Sequence, residues 1–426
     1  MTGTRNVAAA IPQDAIGSAA PIDSAERIGE VDIIRGFALF GVLWMNLEGH
    51  ADFMIPESVI KGLPTAPLDQ WIGVFGAWFA QGKAQCLFSL LFGFGFAILS
   101  NRADARGTDA SAIYIRRILI LMVVGFAHLF LLWMGDILHA YALMGLVLML
   151  TRRWPSRALL VLGITLAVGA FTSAIFAYAL ITPPGQIPDF VTLSQAGLER
   201  RWPVFLGHDY VTFVREVVLS SGPEFYFTLL GPAFLGTILG RFLLGQWIFR
   251  QGWIQDTHRY IGGFRRATPW LLGVGVILAG ITPIMGLAGI RIPGLWRVLR
   301  VLADESGQLV LALGYASTIV VLCASPGWRR LLSGLGAVGR MALTNYLTQS
   351  LVFFFVLYGF GLGWLRYAGP TFCLVLALGV FALQIMFSRW WLARYRFGPA
   401  EWLWRSATYG HWQPLLPRGT STSNTA

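Results

Sequence analysis

The fold class this sequence predicts is all-α, a polytopic bundle of membrane-crossing helices, and three observations predict it. Of 426 residues, 56% are hydrophobic and only 12% charged, with a mean hydropathy of +0.63, far from the composition of a soluble globular protein. The apolar residues fall in unbroken runs of about 15 to 25, the length that crosses a hydrocarbon core. The basic residues, 30 arginines with Lys61 and Lys83, give a net charge of +11 and sit in small groups between those runs. That is the pattern of loops facing an anionic inner leaflet, not of a nucleic-acid surface.

Residues 1 to 26, rich in Ala, Pro, Ser and Asp with no apolar core, read as a disordered cytoplasmic tail and not a signal peptide. The first span is Val31 to Gly49. After a Pro-containing outer loop, Leu68 to Phe79 is too short to cross and reads as an interfacial helix. Spans follow at Gln85–Leu99, from near Arg116, from Asp136 to Thr151, and at Ala158–Ile181, closing an N-terminal membrane half over 27–181. The connection 182–223 reads as an outer excursion. A C-terminal half over 224–410 holds spans at Glu224–Ile248, Pro269–Leu287, Gln308–Ala324, Met341–Leu362 and Gly369–Phe387, then a Trp- and Arg-rich interfacial segment and a disordered tail, 411–426.

This makes about ten spans. Leaving aside Arg35, Arg241 and Arg389 within helix ends, 20 of the remaining 29 basic residues lie on the side of the N-terminus. The positive-inside rule then predicts cytoplasmic N- and C-termini in an inner (plasma) membrane. Cys86, Cys323 and Cys373 stand singly in apolar segments, which predicts neither a disulfide framework nor a metal site. No phosphate loop, zinc spacing, nucleophile elbow or haem motif is present, and no permanently bound cofactor is expected.

The chemistry-bearing stretch is RILILMVVGFAHLFLLWMGDILHAYALMGLVLMLT, residues 117–151. Asp136 and His139 lie in its polar joint and His128 lies two turns earlier. A run from Asp136 to Thr151 covers only ~24 Å at ~1.5 Å per residue, so the joint sits below the membrane surface. Acidic and imidazole groups at that depth point to a functional cavity. Asp136 and His139, three apart, suit a carboxylate orienting a general-base imidazole. Asp136 equally suits helix capping, and His128 a buried hydrogen-bonded histidine. In the first span Asp32 and Arg35 share a face, as a structural ion pair or as an anchor for an anionic ligand head entering from the cytoplasm. Asn46 and His50 share a face at its outer end. Asn345 and Gln349 share a face of the ninth span, as helix cement or as ligand lining.

Five stretches in order, VDIIRGFALFGVLWMN, FSLLFGFGFAI, HLFLLWMGDILHAYAL, GRMALTNYLTQS and FGPAEWLWR, resemble the YeiB family, whose C-terminal half is a domain of unknown function and for which transport has been suggested. The front half is more distantly similar to the transmembrane acyltransferase superfamily, which opens on a D-x-x-R-G/A helix ending in a catalytic histidine. Asp32, Arg35 and Gly36 match that opening, but Asn46 stands where the histidine is expected, with His50 one turn further out.

The resemblance implies transfer of an acyl group from a cytoplasmic donor, acyl-CoA as co-substrate, to a glycan or lipid acceptor on the outer side. His128, Asp136, His139 and Asn46 are the expected catalytic residues. Asp32, Arg35, His50, Asn345 and Gln349 are the expected binding residues. The alternative is a transporter or flippase of a small or lipidic solute using the same buried Asp/His site. Membrane lipids are the expected surroundings and nucleic acid is not an expected partner.

Overall fold

In the computed structural model, residues 28–105, 111–133, 135–181, 198–219, 228–290 and 296–416 are described. The expected N-terminal tail, residues 182–197 and 220–223 of the 182–223 connection and the end of the C-terminal tail lie outside them. The described residues are helical without a strand. In chain order the helices are α1 (Gly29–Met54), α2 (Glu57–Lys61), α3 (Ala66–Phe79), α4 (Lys83–Ala105), α5 (Ser111–Leu131), α6 (Leu138–Leu150), α7 (Ser156–Ile181), α8 (Leu198–Leu206) and α9 (Tyr210–Phe213). Then come α10 (Leu230–Gln251), α11 (Thr257–Leu287), α12 (Trp296–Cys323), α13 (Pro326–Leu331), α14 (Ser333–Arg340), α15 (Ala342–Leu357), α16 (Pro370–Leu392) and α17 (Pro399–Tyr409).

Seven stretches among the described residues are long and apolar enough to cross a membrane: Ala66–Ala105, α5, α7, α10, α11, α12 and α16. The chain is a membrane protein. The other three expected spans are helices as well: α1, with 26 residues, and the shorter apolar α6 and α15. Helices α11 and α12 begin about three turns before the apolar cores read from sequence. Arginines at 259, 265, 266, 297 and 300 end an apolar run without ending a helix, because Arg is a good helix former.

The segment expected to lie flat at an interface does something else. Together α3 and α4 form one 40-residue apolar stretch, broken at Ala80–Gly82, where Gly82 takes φ 77°. Helix α3 is inserted among its neighbours: Trp78 Nε1 donates to Val276 O of α11 at 2.9 Å, and buried Asp69 accepts from the Thr371 amide at the start of α16 at 2.7 Å. The break is stitched by charge. Lys83 Nζ donates to Ala77 O at 2.8 Å, and Tyr315 of α12 donates to Phe79 O at 2.9 Å. Nearby, buried Arg241 of α10 donates to Glu305 Oε2 at 3.1 Å and Gln308 Oε1 at 3.0 Å.

Helix contacts that bring backbones together rest on glycine. A methyl on Gly93 would overlap the Phe242 carbonyl and one on Gly245 the Leu90 carbonyl, so α4 and α10 touch backbone to backbone. Close approach through small residues is how helices associate where lipid removes the hydrophobic drive between them. Helix α1 runs through the middle, packed on α4, α14 and α16. On its other side the α5–α6 hairpin stands off, and the gap between them is the site.

Candidate functional site

Asp136 is the centre of a buried polar cluster in the joint between α5 and α6. Its Oδ2 accepts from the His139 amide at 2.9 Å and lies 2.8 Å from His139 Nδ1. Its Oδ1 lies 2.8 Å from His128 Nδ1 and accepts from the Tyr346 hydroxyl of α15 at 3.3 Å. Asp136, His128 and His139 are each no more than 3% exposed. The capping role and the imidazole-orienting role expected of Asp136 are therefore held together. The amide bond to His139 fixes the first turn of α6, and one carboxylate turns both rings so that their Nδ1 atoms face it. Neither ring nitrogen of His128 has hydrogen-bond geometry to a partner among the described residues, Nδ1 despite its 2.8 Å approach to Asp136 Oδ1. Gly125 of α5 permits this: a methyl there would collide with the His139 amide.

A cavity of about 540 Å³ lies beside this cluster. It is lined along α1 by Asp32, Arg35, Val42, Met45 and Asn46, a run of ~21 Å at ~1.5 Å per residue. Its walls are mostly apolar, from Phe88, Leu91, Phe92 and Leu99 of α4 and from Ile118 and Leu121 of α5. At the Asn46 end it meets Gly135, Ile137, Leu138, Tyr141 and Tyr346. At the Asp32 end it is ringed by Arg35, Arg102, Arg117, Arg340 and Arg405, with Glu401.

Two of these arginines, Arg117 and Arg340, show no carboxylate partner among the described residues. The Arg117 guanidinium lies 4.1 Å from the Trp404 ring centroid and that of Arg405 4.7 Å from Phe397, and Arg340 Nε is buried with no partner among the described residues. Stacking on an aromatic face leaves the N–H edges of a guanidinium turned outward. Arg35 is the contrasting case, pairing with Asp32 Oδ1 at 2.8 Å and reaching Gly339 O at 3.4 Å. The ionic reading of Asp32 and Arg35 thus stands, and the pair also lines the cavity. Glu401 holds the start of α15, accepting from the Leu343 amide at 2.7 Å and the Thr344 amide at 3.1 Å. Burial pushes the Glu401 carboxyl above its ordinary range, against the pull of these donors.

The remaining expected residues divide. Asn46 lines the cavity, whereas His128, Asp136 and His139 stand behind its wall with Tyr346 between. Asn345 and Gln349 face α16 and do not line the cavity. Asn345 Nδ2 donates to Ser388 Oγ at 3.0 Å, and Gln349 Nε2 to Gln384 Oε1 at 2.9 Å, so they join helices where ligand lining was expected. His50 falls in α1, and its side chain lies outside the described residues. Two features escaped the sequence reading. One is the placement of Tyr346, the polar neighbour of Asn345, on the cavity wall. The other is the Lys83–Arg241–Glu305 cluster, whose members are 158 and 64 residues apart in the chain and carry no spacing signal.

Comparison with known proteins bears on the whole chain. Residues 248–411 match the family described as "Protein of unknown function (DUF418)". The chain is 32% identical to the uncharacterized protein YxaH of Bacillus subtilis (strain 168), over 95% of this chain and 99% of that protein. It is 29% identical to the uncharacterized protein YeiB of Escherichia coli (strain K12), over 90% of this chain and 96% of that protein. An uncharacterized 39.9 kDa protein from the amylase 3' region of Bacillus acidopullulyticus is 28% identical over 93% of this chain and 98% of its own length. With nearly full-length similarity and the C-terminal match in the expected place, the chain belongs to the YeiB family of proteins of unknown function.

Proposed function

We propose that the protein is an inner-membrane acyltransferase, moving an acyl group from a cytoplasmic thioester donor such as acyl-CoA to a hydroxyl-bearing glycan or lipid on the outer side. The observation that carries this reading is the cavity, which joins an arginine-ringed end at Asp32 and Arg35 to the polar joint at Asn46 and Gly135. A donor with phosphates and a long flexible arm needs such a space: guanidinium edges for the phosphates, apolar walls for the arm, and a polar end where the carbonyl reacts. In this reading both termini are cytoplasmic, and Asn46 donates to the developing oxyanion. The Asp136-oriented imidazoles of His128 and His139 serve as the base.

The test follows labelled acyl groups from acyl-CoA into envelope lipids and glycans in cells making the full chain. Asp136→Asn and His139→Ala are expected to lower incorporation by about 10²-fold or more, the usual weight of a general base. Unchanged labelling at equal expression would remove the reading.

A second reading, transport or flipping of a small or lipidic solute, is favoured by one observation. The α3–α4 break carries buried Lys83 beside Arg241 and Glu305, and interrupted helices with buried charge line the sites of many transporters. Solute uptake or lipid scrambling by reconstituted protein that is abolished by Glu305→Gln and untouched by Asp136→Asn would select it.

A further inference from the structure

The base cluster and the cavity are adjacent yet separate. None of His128, Asp136 and His139 lines the space in which an occupant would sit. A group that exchanges protons with a reacting hydroxyl has to come within hydrogen-bond reach of it, so something must span the wall. Tyr346 does so: it lines the cavity, its hydroxyl donates to Asp136 Oδ1 at 3.3 Å, and its ring lies 5.2 Å from that of His128, centroid to centroid. Of the other wall tyrosines, Tyr141 lies 2.8 Å from Ser89 Oγ and donates to Gln85 O at 3.2 Å, and Tyr114 donates to Gly145 O at 3.0 Å. Tyr346 thus differs from them in leading to a carboxylate and two imidazoles. It is also a fixed group, since its helix starts on the Glu401 bonds to Leu343 and Thr344.

We propose that Tyr346 is a catalytic residue, the proton carrier between the cavity occupant and the buried Asp136–His128–His139 cluster. This rests on the acyl-transfer reading. The acceptor hydroxyl oxygen forms the new C–O bond to the thioester carbonyl. Its proton passes to the Tyr346 oxygen while the phenolic proton of Tyr346 passes by way of Asp136 Oδ1 to His128 Nδ1, 2.8 Å from that oxygen. The C–S electron pair leaves with sulfur, and the proton returns through Tyr346 to the thiolate, giving ester and free thiol with the cluster restored. The Asp136 carboxylate, between both rings, offsets the charge of the imidazolium while it holds the proton.

The experiment uses the full chain in inverted membrane vesicles with radiolabelled acetyl-CoA and palmitoyl-CoA, measuring transfer to vesicle lipids and glycans across pH. Tyr346→Phe keeps ring and volume. The expected result is a loss of transfer of about 10²-fold in kcat with KM for the thioester unchanged. Tyr210→Phe, which removes a hydroxyl that donates to Leu131 O away from the cavity, is expected to stay near wild type. Replacing Tyr346 with 3-fluorotyrosine, a more acidic phenol of nearly the same shape, is expected to move one limb of the pH profile to lower pH, which a purely structural tyrosine would not do. Should Tyr346→Phe fail to fold, the fluorotyrosine profile decides. Wild-type transfer by Tyr346→Phe, or an unmoved profile, would overturn the assignment while leaving acyl transfer standing. Absence of transfer by wild type with either thioester would overturn both.

Discussion

At the scale of single residues, the site is a matter of which way neighbouring side chains turn. Asn345 and Gln349, four apart, share one face of α15 and spend it on α16, while Tyr346, one position and ~100° further round, reaches the cavity. Sequence spacing identifies which residues share a face but not which face meets the hollow. That is why Asp136, whose neighbours are local, was legible, and Tyr346 was not. Glu401 offers a measurable consequence. Because burial raises its carboxyl in the folded chain, the fold holds that proton more tightly than the unfolded chain does. Stability from this group is therefore fully present below the ordinary glutamate range and declines as pH rises through the elevated folded value. Thermal unfolding in detergent should show a fall in Tm with rising pH above that ordinary range, and Glu401→Gln should flatten the slope. An unchanged slope would place the dependence elsewhere.

At the scale of elements, the two glycines of GFG behave oppositely. Gly93 is pressed against α10 at Phe242, whereas Gly95, ~200° round the helix, faces the open cavity with no atom within 4 Å of an added methyl. Gly93→Ala should lower stability by about 1 to 3 kcal/mol through overpacking. Gly95→Ala should hold or raise it, since alanine is the better helix former by about 1 kcal/mol. Equal Tm values for the two variants would contradict the packing. Sequence alone treats the two positions alike, and only contact with α10 separates them. The α3 segment shows the same limit. It was read as an interfacial helix too short to cross, and its partners Val276 and Thr371 lie some 200 to 300 residues away and leave no trace in local hydropathy.

For the whole molecule, apolar run length and arginine placement were enough to anticipate an all-helical membrane protein with a helix at each of ten expected spans. Orientation follows from charge. With both termini proposed cytoplasmic, single cysteines at Ser24 and Thr420 should resist a membrane-impermeant maleimide in intact cells, and one at Ser58 should react. The native Cys86, Cys323 and Cys373 are buried and contribute little background. Labelling of the terminal positions in intact cells would reverse the arrangement.

Two of the helices that carry the polar site are short, α6 with 13 residues and α15 with 16. At ~1.5 Å per residue they measure ~20 and ~24 Å against a hydrocarbon slab of ~30 Å. Lipid beside them has to thin or water has to enter. Asp136 and Tyr346 thus sit at the shortest of the ten expected spans, where less apolar helix separates the two faces than elsewhere in the bundle.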